Sequence, residues 1–500
     1  MGETSRGAGM SSGKKLGIAS LAMINVAAVL SLRNFPAMAV EGWGMIFWYL
    51  LFTLCFLLPT ALVAAELAST WPKAGGIYAW VREAFPGKGS FITIWCSWVN
   101  NIVWFPTVLS FIMVTLAYAV LQPLLGDNTV FMAVVMLGVM WILTLFNFTG
   151  MKNSTKFSTL GTVLGSLVPI GILVVLTFLW LGDGNTSNLG TFEASSLVPS
   201  LDLNVITFAA SLVLMFAGME MAGYHARETE NPQKDYPLAM FIAAAIICAV
   251  SILGTWCVGT VVTPEFLNGS EGLNGGVVQA FQVTLDGLGV GWLITPLALM
   301  LAVGIIAQLS TWMMGPAKGL APAAYAGDLP PLFRRTNANG APFGVLVLQA
   351  AISSCFVILY LVLDAMHING YWVLVAITSL INIIMYLFMF VAFIKLRRTQ
   401  ADRPRPFKLP GGRFGMWLVA GVAIVTLVFG FVFGLYPTVD LDPTMTAVYI
   451  VGLLLSVIAI AVLPPFIIAR WLRKDSWKPS DEELREFESQ DAQNCSDNGS

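Results

Sequence analysis

Charged side chains are scarce in this chain: Asp, Glu, Lys and Arg make up only 11% of its 500 residues, while 57% are hydrophobic. A soluble domain carries roughly 25% charged residues, so an ordinary soluble protein is excluded. Histidine is nearly missing, with only His225 and His367, both beside loops, where each is either a pH sensor or an ordinary loop residue. Of the six cysteines, Cys55, Cys96, Cys248, Cys257 and Cys355 fall inside apolar runs and Cys495 in a polar tail, which leaves no disulfide framework. No glycine-rich loop opens a helix, no nucleophile has a base, and no cluster has metal-ligand spacing. Neither an enzyme nor a cofactor or metal is therefore expected, and a net charge of −2 gives no footing for nucleic acid. Short alternating segments, the mark of a membrane β-barrel, do not occur.

Long apolar runs are what the chain does have. Twelve lie at about 16–39, 45–69, 90–122, 129–149, 157–182, 204–225, 237–262, 289–314, 343–363, 371–396, 414–436 and 444–470. Each is long enough for the about 20 residues that cross a bilayer core, and the long third and eighth predict tilt or extension into the interface. Of the 26 basic residues, all but Arg33 precede the first run or follow an even-numbered one, whereas the loops after odd-numbered runs carry only acids such as Asp127, Glu193, Glu265 and Asp364. The positive-inside rule then places both termini in the cytoplasm. Residues 1–15 read as a disordered tail, not a signal peptide, and residues 471–500 as an acidic tail.

Arg33 breaks the pattern. Residues 23–42 read MINVAAVLSLRNFPAMAVEG, with Arg33 close to the middle of the first run and Pro36 three residues on. A charge there costs at least ~2.5–3.5 kcal/mol on insertion scales, so it needs a reason, and the proline removes a backbone donor. The sixth run carries small residues and an acid at Phe216, Ala217, Gly218, Met219 and Glu220. Five runs per half make two halves that cross the membrane in opposite senses, so 16–182 and 204–396 fit an inverted repeat, with the basic loop and last two runs (397–470) appended. Interruptions near 28–31 and at 216–220 predict two broken helices around a central site. Free N–H groups at a half-helix start attract a carboxylate and free carbonyls at a half-helix end attract an ammonium, a pairing that suits a zwitterionic amino acid. Arg33 and Glu220 then border the unwound centre. The bland alternative is two continuous helices with packing glycines and a structural ion pair.

Five stretches carry a family likeness: SLRNFP in run 1, AAELASTWPKAGGIYAWVREAFPG at 64–87, FAGMEMAGYHARETENPQKDYPLAM at 216–240, AQLSTWMMGPAKGL at 307–320 and RPFKLPGG at 405–412. Over roughly residues 15–470 the chain resembles the amino acid–polyamine–organocation superfamily, in particular its bacterial glutamate/γ-aminobutyrate antiporter branch. The resemblance implies an all-α membrane protein of twelve transmembrane helices with a LeuT-type fold, working by alternating access in a bacterial inner membrane as a monomer or homodimer. It implies that a substrate carboxylate meets the backbone of Val29, Leu30 and Ser31, and that its amino group meets carbonyls of Phe216, Ala217 and Gly218. Trp312 matches a position lining the pocket or gate, and Glu220 one linked to pH sensing or gating. Proton-coupled relatives carry a lysine in span 5 where this chain aligns Thr159, with Lys156 one turn earlier, which favours antiport over proton symport. The basic C-terminal plug of the branch has no counterpart in the short acidic tail.

The remaining polar residues carry two readings each. Glu66, near the end of run 2, is either a gate acid or the partner of a loop cation. Asn25, Asn100 and Asn101 fit interhelical hydrogen bonding better than pathway lining. Gln308 lies one turn before Trp312 on the same face, where it would meet substrate or gate. Arg33 favours an acidic amino acid such as glutamate, exchanged for the decarboxylated amine. If Glu220 or Glu41 neutralises Arg33, a pocket of Ala28, Val29, Leu30, Phe216 and Trp312 suits a neutral or aromatic amino acid instead. A proton-coupled or facilitative permease, and a non-transporting sensor on the same fold, are the alternatives.

Overall fold

The computed structural model describes residues 17–487 apart from 74, 88–89, 200–204, 207–209, 211–212, 224–230, 270–271, 367–369, 438–441 and 486. His225 and His367 lie outside the described residues. All regular structure among those described is helical. In chain order the elements are α1 (Ile18–Val29), α2 (Asn34–Ala39), α3 (Gly42–Thr70), α4 (Ile77–Ala84), α5 (Ile92–Ala119), α6 (Thr129–Asn147) and α7, which runs from Met151–Thr162 through a widened turn into Val168–Gly182. Then follow α8 (Pro232–Val261), α9 (Pro264–Asn268), α10 (Gly272–Gly287), α11 (Ile294–Gly319), α12 (Phe343–Ala365), α13 (Gly370–Thr399), α14 (Gly412–Phe433) and α15 (Pro443–Leu472). Ten of these, all but α1, α2, α4, α9 and α10, are long and apolar enough to cross a membrane. They coincide with runs 2–5 and 7–12. Run 1 is split between α1 and α2, with Leu30–Arg33 between them outside any helix. Run 6 is described only in part: a short 3-10 turn at Val213–Phe216 gives way to non-helical backbone at Ala217 and Gly218.

Burial orders the bundle from the inside out. The central stretch of α5 is 83% buried and that of α15 only 22%, so α5 is a core helix and α15 a peripheral one. The segment between α8 and α11 folds into α9 and α10, and α10 packs on α2 and α5, closing one end of the bundle over the α1–α2 break.

Small residues let α7 and α11 touch at backbone distance. A Cβ at Gly165 would lie 2.2 Å from the Gly304 nitrogen, so neither helix tolerates a side chain there. Hydroxyls lock the register, as amides and hydroxyls do between membrane helices: Ser158 Oγ donates to the Ala307 carbonyl at 3.0 Å, Thr311 Oγ1 donates to Ser158 Oγ at 2.7 Å, and Ser154 and Ser310 share a bond of 2.9 Å. The α7 face turned to α11 thus carries Ser154 and Ser158. On the same helix Thr159 is half-buried and Lys156 is exposed. This seam fixes α11, whose next residues reach the break in run 1.

Candidate functional site

A cavity of about 100 Å³ lies where α1 and α2 part, walled by α5, the run 6 break, α11 and α13. Its polar wall consists of Ser31, Arg33, Asn34, Asn100, Asn101, Gln308, Thr378, Ser379 and Asn382, and its aromatic wall of Trp104, Trp312, Tyr371 and Trp372.

The α1–α2 break is built from two kinds of unfinished helix end. Helix α1 stops because Leu30 adopts extended backbone (ψ 108°), which leaves the last carbonyls of the turn without intrahelical donors. Side chains of α11 take them up. Trp312 Nε1 donates to the Ala28 carbonyl at 3.0 Å, and Gln308 Nε2 donates to the Leu30 carbonyl at 3.1 Å. On the other side, Asn34 and Phe35 donate their backbone N–H groups back to Ser31 and Leu32 as α2 begins. The N–H groups of Ser31, Leu32 and Arg33 have no acceptor among the described residues. The break therefore presents donors on its α2 side, while its α1 carbonyls are held by Gln308 and Trp312.

The run 6 break depends on one glycine. Gly218 has φ +126°, a conformation L side chains avoid, and its N–H donates to Tyr386 Oη of α13 at 2.7 Å. Tyr386 Oη in turn donates to Glu220 Oε2 at 2.5 Å. Glu220 is fully buried. Asn25 of α1 accepts from the Ala222 N–H at 3.4 Å, which ties the two broken spans together.

Arg33 is the single cation on the cavity wall. Its Nη1 donates to Thr107 Oγ1 of α5 at 2.5 Å, and the guanidinium stands 5.3 Å from the Trp104 ring centre and 5.6 Å from that of Tyr371. Each such cation–π contact is worth about 0.5–2 kcal/mol. Neither candidate acid neutralises it: Glu41 accepts from Trp48 Nε1 and Glu220 from Tyr386. Among the described residues Arg33 has no acidic partner, and its Nε makes no hydrogen bond.

Of the residues singled out in the sequence, Val29, Ser31, Arg33, Ala217, Gln308 and Trp312 line the cavity together. Leu30, Phe216 and Gly218 shape the breaks from behind it: Phe216 packs on Tyr49, and a Cβ on Gly218 would meet Trp312 and Val29 at 3.1 Å. Glu220 reaches the site only through Tyr386. Glu66 is elsewhere, at the end of the bundle that carries the basic loops, paired with Arg397 at 2.6 Å and Arg405 at 3.0 Å and accepting the Leu409 N–H at 2.8 Å. Glu66 thus has cations of α13 and the loop after it as partners. Asn101 does serve helix joining, donating to the Trp312 carbonyl at 2.9 Å, but Asn101 and Asn100 also stand on the cavity wall. The α13 side was missed. Its signal is a polar and aromatic stripe in an apolar helix, Tyr371, Val375, Thr378, Asn382 and Tyr386, spaced by three or four residues as one helical face requires.

Comparison with known proteins agrees with this architecture. A family model described as amino acid permease matches residues 16–462. An uncharacterized transporter of Legionella pneumophila is 36% identical over 85% of this chain and 90% of its own. A glutamate/γ-aminobutyrate antiporter of Lactococcus lactis is 27% identical over 96% of this chain and 94% of its own. A probable agmatine/putrescine antiporter of the same species is 25% identical over 96% of this chain and its full length.

Proposed function

The chain belongs to the amino acid permease family, and on that premise we infer that it is an exchanger of acidic amino acids, of the glutamate/γ-aminobutyrate type, with the cavity at the two breaks as its substrate site. Arg33 carries the inference. A buried guanidinium without an acidic partner, on the wall of a cavity, is costly in a membrane unless a substrate anion completes it. A carboxylate takes such a fork through paired charge-assisted bonds. The same residue argues against diamines of the putrescine kind, which would bring a second cation beside it.

The rest of the reading follows from chain order. Residues 16–182 and 204–396 form inverted repeats, α14 and α15 are appended, both termini are cytoplasmic, and the two repeats rock about the site in alternating access. The substrate carboxylate near the α2 start meets the free N–H groups of Ser31, Leu32 and Arg33. Exchange without proton coupling is supported by α7, where Thr159 stands at the position aligned with the lysine of proton-coupled relatives and Lys156, one turn earlier, is exposed. Four aromatic rings in the wall favour a second reading, a permease for neutral or aromatic amino acids.

Counterflow in proteoliposomes separates the two. Labelled glutamate should enter only vesicles preloaded with glutamate or γ-aminobutyrate, and the Arg33→Ala variant should lose that uptake. Uptake of neutral amino acids alone, unchanged by the variant, overturns the acidic reading.

A further inference from the structure

A second cleft, of about 380 Å³, lies at the end of the bundle away from the basic loops. Its walls are the ends of α7 and α8, the loop after α7, and residues of α9 and α10, and it shares no lining residue with the cavity at the breaks. The charge around it has one sign. All its walls come from residues 157–226 and 235–317, two stretches without a lysine or arginine, whereas Asp183, Glu265 and Asp286 each stand within three residues of the lining.

Backbone adds to that field. Helices α7 and α8 both finish here, and a helix C-terminus carries about half an elementary negative charge. The loop after α7 meets these ends with neutral amides only. Asn185 Nδ2 donates to the Trp180 carbonyl at 2.8 Å, and Asn188 Nδ2 donates to those of Thr260 and Val261 at 3.2 and 3.0 Å. Both asparagines thus turn their nitrogens to the helix ends, and Oδ1 of each accepts no bond among the described residues. Trp180 and Phe266 supply aromatic wall beside these oxygens.

Such a cleft repels anions. It is also far roomier than a bare metal ion requires, since one water takes up about 30 Å³ in the liquid. What it fits is a cation with an apolar body, whose N–H groups reach amide oxygens and whose charge lies beside aromatic rings. We propose that this cleft is a second binding site, for organic ammonium ions, separate from the cavity at the breaks. Its occupant bears on transport through α10. Gln279, in the cleft wall, accepts from Tyr118 of α5 at 2.9 Å, and on the buried side of α10 a Cβ at Gly276 would lie 2.8 Å from Pro36 of α2. A bound ammonium compound therefore holds α10 over the α1–α2 break without entering the central cavity.

Calorimetric titration of the purified full chain with phenethylammonium and with 2-phenylethanol, alike in size but not in charge, tests the site. The ammonium compound should bind at least tenfold more tightly than the alcohol. Thr186 lines the cleft from an exposed loop and makes no hydrogen bond among the described residues, so charge can be placed there without disturbing the fold. T186D should tighten phenethylammonium severalfold and T186K should weaken it about tenfold, opposite shifts set by the added charge. W180L should weaken it as well, whereas R33M should leave it within about twofold. In counterflow of whichever amino acid the protein carries, phenethylammonium should lower the maximal rate and leave half-saturation in place, and T186K should relieve that inhibition. Equal binding of the two compounds, or affinity that neither T186D nor T186K moves, overturns the proposal. So does inhibition that raises half-saturation alone, which would put the amine in the central cavity. Failure of glutamate uptake would sink the acidic-substrate reading and leave these titrations standing.

Discussion

The bundle buries arginine in two settings that follow opposite rules. At the basic end, the side chains of Arg397 and Arg405 are 7% and 2% exposed and share Glu66, whose side chain is 1% exposed and also accepts the Leu409 N–H. Trp71 lies under Arg405 and Arg403. In the cavity, Arg33 is 8% exposed, and its partners among the described residues are a threonine hydroxyl and two ring faces. Burial is alike, so burial alone does not mark function. What differs is the partner: the first cluster holds a carboxylate of its own and ties α3 to α13 and the loop beyond it, while Arg33 has no acidic partner among the described residues.

The largest effect should come from breaking the completed cluster. Glu66→Ala leaves two arginines buried without their carboxylate, and removing one partner of a buried pair costs about 3–5 kcal/mol. Thermal unfolding of the detergent-solubilised protein should show a large fall in midpoint, and replacing Arg397 and Arg405 by methionine in the same background should recover part of it. Arg33→Met is the counterpart and should separate stability from function. Its midpoint should hold or rise, because an uncompensated charge is removed, whereas affinity for acidic substrates should weaken by about 1.5–3 kcal/mol, or ten- to a hundredfold. A fall in stability comparable to that of Glu66→Ala would make Arg33 structural and erase the contrast.

Gly218→Ala probes the frame of the site rather than its charge. The φ of +126° strains any L side chain, and a Cβ 3.1 Å from Trp312 and Val29 would press on both. Strain at such a position is of the order of 1–3 kcal/mol. Exchange rate should fall with it, as the bond from Gly218 to Tyr386 shifts and takes Glu220 along. Normal turnover in this variant would mean that the run 6 backbone does not need its present geometry.

Much of this was legible in the sequence, for identifiable reasons. A span needs about 20 apolar residues, so ten crossing helices announce themselves by composition. The run 1 break shows because Arg33 and Pro36 are both expensive inside a helix. The exact break, at Leu30–Arg33, lay two residues beyond the expected 28–31, since backbone geometry and not residue type ends α1. The α13 wall stayed hidden because Thr378, Ser379 and Asn382 are cheap to bury singly and matter only as a stripe. Glu66 was ambiguous for a deeper reason: its partners Arg397 and Arg405 lie more than 300 residues away, and no local pattern encodes that distance.

A third arginine gives the comparison its weak limit. Arg334, after α11, donates to the Trp477 carbonyl at 2.8 Å and pairs with Glu483 at 3.2 Å, holding the segment after α15 against the loop after α11, where Tyr325 and Phe487 also stack. The Glu483 side chain is 47% exposed, so water and salt screen the pair. Arg334→Ala should therefore cost no more than about 1 kcal/mol, too little to move the unfolding midpoint as Glu66→Ala does. It should nonetheless raise the rate at which a protease removes the segment after α15, and high salt should have the same effect on the parent protein, while leaving the Glu66 cluster untouched. If salt instead shifts the unfolding midpoint as far as Glu66→Ala does, the exposed and buried arginine pairs are not distinct classes, and partner completion rather than depth alone must be measured at each.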